Sequence, residues 1–209
     1  LRAYKQEMCG RGWDYVVHAA VATKSLKREG FFKTNTEGTK NLVRALIAEE
    51  MVPSRFVFVS SLSIFGAIRE EPYPYEPIRE TDIPRPNAAY GESKGQAERF
   101  LATVKDFPYV ILRPTGVYGP RERDYYIMAK SIKQHVDFAV GYKPQDVCAI
   151  SGTVNGWLGK LTTLNLDNYH ILSQRNWQCD IEPARRDLGY EPQVLLDEGV
   201  RRSVQWYKR

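Results

Sequence analysis

Three short apolar runs constrain this chain more than any other feature: "WDYVVHAA" (13–20), "SRFVFVSS" (54–61) and "YVILRPTGVYG" (109–119). Each is rich in Val, Phe, Tyr or Ile, too short for a helix, and bounded by turn-forming residues, so each reads as a β-strand. The first shows no alternation of apolar and polar residues, which predicts burial on both faces. Between the first two runs, "TNTEGTKNLVRALIAEEM" reads as a helix. Leu42, Val43, Ala45, Leu46 and Ile47 give it a broad apolar face, Lys40, Arg44, Glu49 and Glu50 supply polar positions, and Pro53 forces a stop. A Pro-rich ordered loop, "REEPYPYEPIRETDIPRPNAAY", and a second helix, "AAYGESKGQAERF" (88–100), precede the third run. This alternation predicts an α/β fold with a parallel sheet covered by helices. Such sheets bind ligands at the carboxyl ends of their strands, and "HAA", "SSLS" and "RPTGVYG" all fall there.

The second helix sets Tyr90 and Lys94 one turn apart, so their side chains share a face. A free phenol ionises near pH 10, too high for a base at neutral pH. A neighbouring ammonium favours the phenolate, and a phenol tuned this way can exchange a proton with an alcohol or carbonyl as hydride moves. Ser61, at the end of the second strand, is the hydroxyl placed to orient the substrate oxygen. A solvated helix face also produces Tyr-x-x-x-Lys. The strand-end Ser pair upstream and "RPTGVYGP" downstream set this instance apart.

Beyond 126 the pattern weakens. "DYYIMAKSIKQ" and "EPARRDLGYEPQ" read as helices, the latter stopped by Gly189 and Pro192. "LLDEGVRRSVQWYKR" is an amphipathic terminal helix with Leu195, Leu196, Val200, Val204 and Trp206 on or near one face. The formal net charge of +5 over 209 residues is dispersed, with short basic groups at Arg121/Arg123, Arg185/Arg186 and Arg201/Arg202. None forms the block that a nucleic-acid tail would need. Cys9, Cys148 and Cys179 lack metal-ligand spacing, and with only His18, His135 and His170 available no metal site is expected. Reduced thiols, no signal core and no membrane-length apolar run in this sequence make a cytoplasmic location the expectation.

In order, "DYVVHAA", "TNTEGTKNL", "FVFVSSLSIFG", "YGESK" and "RPTGVYGPR" resemble motifs of the extended short-chain dehydrogenase/reductases, the NAD-dependent epimerase/dehydratase family. "DLGYEP" and the Trp-containing helix after it are similar to that family's C-terminal end. The resemblance implies a Rossmann-like, doubly wound parallel sheet with a small C-terminal substrate-binding part. Residues 1–125 would form an NAD(P)-binding core and 126–209 the substrate part. It implies Tyr90 as acid/base, Lys94 as the residue holding the nicotinamide ribose, and Ser61 as the catalytic hydroxyl. Ala19, Ala20, Val21, Thr34, Ser60, Tyr90, Lys94, Pro114, Thr115, Gly116 and Val117 would line the NAD or NADP. Ser63, Tyr118, Arg121 and Arg123 are the substrate-side candidates, with Tyr118 reading better as wall or core than as a second acid. His18 reads as a satisfied strand-end histidine, and Asn35 as support for the strand geometry.

The implied reaction is NAD(P)-dependent epimerisation or dehydration at a hydroxyl-bearing carbon of a nucleotide-sugar. A net reductase of the 3β-hydroxysteroid or dihydroflavonol type is the alternative, toward which "YGESKGQAERF" leans slightly. The intact Ser, Tyr and Lys set argues against a catalytically silent dinucleotide-binding regulator. A homodimer through 39–51 and 97–104 is expected by the same resemblance. Two departures stand out. Phe65 replaces a Tyr common in sugar-nucleotide members, and no Gly-x-x-Gly-x-x-Gly turn is found, since Gly10 and Gly12 neither follow a strand nor open a helix. The expectation is therefore a longer protein with roughly two further βα units, on the order of 60 residues, at its start. A second gap is expected around 145–157.

Overall fold

The computed structural model describes residues 2–7, 12–133, 170–171 and 173–208. The readings placed on 145–157, and on Cys9, Gly10, His135 and Cys148, lie outside them. The elements are α1 (Arg2–Glu7), β1 (Tyr15–His18), α2 (Arg28–Phe31), a π-turn (Phe32–Glu37), α3 (Gly38–Ala48) and β2 (Arg55–Val59). A 3-10 turn (Leu62–Ile64), α4 (Ala89–Thr103), β3 (Tyr109–Leu112), α5 (Asp124–Lys133), α6 (Glu182–Leu188) and α7 (Leu196–Tyr207) complete the order.

The three strands form one parallel sheet in the order β1-β2-β3. His18 sits opposite Phe58, and Val59 opposite Leu112. Because all three strands run the same way, residues 19–21, 60–61 and 113–117 leave the sheet along one edge. The core lies on one face. Phe56 and Phe58 of β2 pack against Val43 and Leu46 of α3 and Ala97 and Leu101 of α4, with Met51 and Phe107 closing the ends. The expected burial of β1 on both faces is not what is found. Tyr15 is 73% and Val17 65% exposed, whereas His18 is buried. The reason is geometric: side chains of a strand alternate between faces, and among the described residues α3 and α4 cover only the face of Phe56 and Phe58.

The helix predicted to begin within "TNTEG" begins earlier. From Arg28 to Ala48 the backbone is continuously helical, with Phe32 and Gly38 both in the right-handed region at the junctions. Phe31 anchors this early start by burial, its ring edge-on to Tyr90 with centroids 6.4 Å apart. The π-turn then holds an extra residue within the helix, a feature that recurs at functional sites.

The Pro-rich loop is ordered by a second cluster. Leu62, Ile64, Phe65 and Ile78 pack with Ile68, Trp177 and Cys179, and Ile78 forms a parallel bridge with Cys179. Asn176, fully buried, donates to the carbonyls of Arg69 and Glu76 (3.0 and 2.9 Å). Arg69 grips Asp82 through two nitrogens at 2.7 Å each and reaches Glu76 at 2.6 Å. Asp82's carboxyl is held below its ordinary range, first by the Arg69 hydrogen bond. At the C-terminal end, Gly189 stops α6 in the left-handed region (φ 61°) as expected. Tyr126 stacks on Tyr207 with centroids 3.9 Å apart, joining α5 to α7.

Candidate active site

The carboxyl edge of the sheet faces the first two turns of α4. Nothing caps Ala88 by a side chain; α4 is fixed instead by contact with the turn after β2 and with the π-turn. Gly91 makes the first contact possible, because a Cβ there would run into the carbonyl oxygen of Ser63. Asn35, with no exposed surface, makes the second. Its side-chain oxygen accepts from the Ala22 N–H (2.8 Å), and its amide nitrogen donates to the Ala22 carbonyl (3.1 Å) and to Ser93 Oγ (2.9 Å). Ser93 Oγ in turn donates to the Tyr90 carbonyl (2.7 Å), and Thr36 Oγ1 donates to the Ser93 carbonyl (2.8 Å). The strand-supporting role read for Asn35 thus extends to the helix of Tyr90.

The Tyr90 phenol lies near enough to Ser61 for that hydroxyl to act on its pKa. Ser61 Oγ also lies 2.8 Å from Ser63 Oγ and accepts from the Ser63 N–H at 3.2 Å. Ser63, named above as a substrate-side candidate, is buried against Ser61. Burial pushes the Tyr90 phenol above its ordinary pKa, and the nearby Ser61 hydroxyl partly offsets this.

Lys94 is only 1% exposed. Its ammonium donates to the Val59 carbonyl (2.7 Å) and stands 4.8 Å from the centre of the Phe58 ring. Desolvation pulls its pKa down to about 8, against a smaller upward pull from Glu98. The expectation that this ammonium would govern the phenol's pKa is not met in this arrangement: desolvation of Tyr90 leads instead.

His18 is a satisfied strand-end histidine, as read. Thr39 Oγ1 gives its one proton to the Asn35 carbonyl (2.7 Å), so in the 2.9 Å contact between Thr39 and His18 the donor must be His18 Nε2–H. Burial first, and Lys94 second, lower the His18 pKa.

The remaining predicted residues divide by position. Ala19, Ala20 and Val21 are exposed at the end of β1, Thr34 is exposed on the π-turn, and Pro114 is half-buried ahead of exposed Thr115, Gly116 and Val117. Ser60 is buried, and its hydroxyl has no hydrogen-bond partner among the described residues. Tyr118 is not brought to Tyr90: its ring meets Tyr125 edge-on, its hydroxyl reaches the Leu196 carbonyl at 3.5 Å, and Gly199 of α7 leaves room for it. Arg121 and Arg123 are exposed, Arg123 beside Tyr207. Phe65 is fully buried beneath the Arg113 guanidinium (5.3 Å) and so presents no group to a ligand.

A parallel sheet whose strand ends converge on such a helix defines a Rossmann-type α/β protein. The dTDP-glucose 4,6-dehydratase of Bacillus anthracis, solved with NAD, has this fold: it superposes with a TM-score of 0.69 at 17% identity, over 100% of this chain and 76% of that one. Residues 4–140 match the family model described as NAD dependent epimerase/dehydratase family, and the chain belongs to that family. Among curated relatives, mouse dTDP-D-glucose 4,6-dehydratase is 23% identical over 248 residues, 94% of this chain and 68% of the relative. The UDP-glucose 4-epimerase of Vibrio cholerae is 40% identical over 91 residues, 42% of this chain and 26% of the relative.

Proposed function

We propose that this chain carries the catalytic residues of an NAD(P)-dependent enzyme that epimerises or dehydrates a nucleotide-sugar, with Tyr90 as acid/base. The observation that carries this reading is the grouping of Ser61, backed by Ser63, with the Tyr90 phenol, and of buried Lys94 one turn further along the helix. The named activities of the mouse and Vibrio relatives support the substrate class.

The residues at the strand ends fit a dinucleotide. Ser60 offers a buried hydroxyl that no described protein group meets, and Ala19 and Ala20 beyond β1 and Val117 beyond β3 are exposed small or apolar side chains. Ala19 to Val21, Thr34, Ser60 and Pro114 to Val117 would hold the cofactor, with Lys94 turned to its ribose hydroxyls. When bound, the cofactor supplies a hydride acceptor and donor at the substrate carbon. The chain's own part is proton management. As the phenol, Tyr90 would donate its proton to a developing alkoxide; in the oxidising direction it would take the hydroxyl proton only as the phenolate, the form that a neighbouring ammonium favours. Ser61 fixes the substrate oxygen against the phenol. Residues 126–209 would supply the sugar-nucleotide contacts.

The test incubates the full chain with NAD or NADP and a panel of dTDP- and UDP-sugars, following products by mass spectrometry and free NAD(P)H by absorbance. Conversion without net reduced cofactor is expected. Tyr90→Phe should lower turnover by about 10²- to 10⁴-fold while dinucleotide affinity changes little. A Tyr90→Phe variant with wild-type turnover would remove Tyr90 as the acid/base, and stoichiometric consumption of NAD(P)H would identify a net reductase.

A further inference from the structure

Glu98 and Arg113 form an ion pair that the chemistry above does not itself use. Glu98 lies on α4 one turn beyond Lys94, its side chain 8% exposed. Arg113 is the first residue after β3, immediately before Pro114. The guanidinium holds the carboxylate through Nη2 at 2.8 Å and through Nε at 3.1 and 3.3 Å, a geometry that fixes both groups. Its other face lies 5.3 Å over Phe65. One joint therefore fastens the Tyr90 helix, the exit of β3 and the turn that follows Ser61.

At i and i+4 on a helix, Lys94 and Glu98 share a face, and Glu98 is the carboxylate whose charge acts on Lys94. Among the described residues, the titratable groups around Lys94 are His18 from β1, Tyr90 and Glu98 from its own helix, and Arg113 behind Glu98 at the end of β3. β2 contributes a carbonyl and the Phe58 ring, and the π-turn and α3 contribute neutral Asn35, Thr36 and Thr39. His18 is neutral near pH 7 because burial lowers its pKa. Glu98 is thus the negative group that opposes the desolvation of Lys94.

Resting on the reading of Lys94 as the cation beside Tyr90, we propose that Glu98 is a positioning residue for the reaction: held by Arg113, its carboxylate keeps Lys94 in the ammonium form at the working pH. Two variants separate this from a purely structural joint. Glu98→Gln keeps the shape and removes the charge. The exchange Glu98→Arg with Arg113→Glu keeps an ion pair across the joint but puts a positive group beside Lys94.

The readout is the titration of the Lys94 side-chain methylene by NMR, assigned by its loss in Lys94→Met, which needs no turnover. The wild-type midpoint is expected near 8, and Glu98→Gln should move it down by about half a pH unit or more. The alkaline limb of kcat/KM should move with it, while KM for the dinucleotide at pH 6 stays within about twofold. The exchange variant should recover thermal stability without recovering the Lys94 titration. A Glu98→Gln midpoint unchanged within about 0.2 units, or an exchange variant that recovers both properties, overturns the proposal. If the exchange variant fails to fold, the Glu98→Gln titration alone decides. A shifted Lys94 midpoint in a chain that converts no sugar nucleotide upholds the Glu98–Lys94 coupling and counts against the activity instead.

Discussion

Replacing Lys94 by Met should make the protein more stable at neutral pH while abolishing its activity. A lysine lowered from 10.5 to about 8 is a charge held in an unfavourable place, and the difference corresponds to about 3 kcal/mol of destabilisation of the folded ammonium form. Met fills much the same volume without charge. The hydrogen bond to Val59 and the contact with Phe58 are lost in exchange, and together they offset about 1–2 kcal/mol. A net gain of about 1–2 kcal/mol at pH 7 is therefore expected in urea unfolding. The pH dependence carries the stronger test. Between the folded pKa near 8 and the unfolded value of 10.5 the unfolded chain binds more protons at this site, so wild-type stability rises with pH across that window. Relative to Lys94→Met, the wild type should gain about 2 kcal/mol between pH 7 and pH 9.5, because other titrations cancel in the comparison. A variant less stable than wild type at pH 7, with a gap that stays constant to pH 9.5, would show that Lys94 is not held against a desolvation penalty.

Two further substitutions probe how α4 is seated. Gly91→Ala forces a methyl against the Ser63 carbonyl; unfolding should show a loss of about 1–3 kcal/mol, and turnover should fall at least about tenfold because Tyr90 and Ser61 separate. Full stability and activity would mean the contact is loose. Asn35→Ala leaves Ala22 and Ser93 without their partner, a cost of about 2–4 kcal/mol for several buried polar groups. A loss below about 0.5 kcal/mol would show that neighbouring groups replace the amide.

The parts of this architecture that the sequence announces are those carried by local pattern. Phe56 and Phe58 bracket a strand by composition alone, and the spacing of Tyr90 and Lys94 states their shared face without tertiary information. The parts that depend on which side of an element meets another are silent. Val17 reads as buried because it sits in an apolar run, yet it points to the face that α3 and α4 do not cover. Tyr118 follows the strand end closely enough to suggest a ligand wall, but Tyr125 and the Leu196 carbonyl hold it toward α7. Glu98 and Arg113 carry no signal, since an i,i+4 charge on a helix and an arginine after a strand are each ordinary. A loop and a strand separate them, and the packing of α4 on the sheet brings them together. The helical start at Arg28 escapes notice because "REGFFK" lacks a capping residue, and burial of Phe31 decides it.

The π-turn between Phe31 and Gly38 has a consequence for how this segment can change over generations. Substitutions at its exposed positions, such as Lys33, leave the path of the backbone alone. A single-residue deletion there would close the wide turn into an ordinary α-helix with no loss of helical propensity. It would also rotate everything before it by roughly 100° about the helix axis, swinging Phe31 off Tyr90 and Arg28 off Glu92. Length is therefore under tighter constraint here than composition, the reverse of what a solvent-facing helix usually permits.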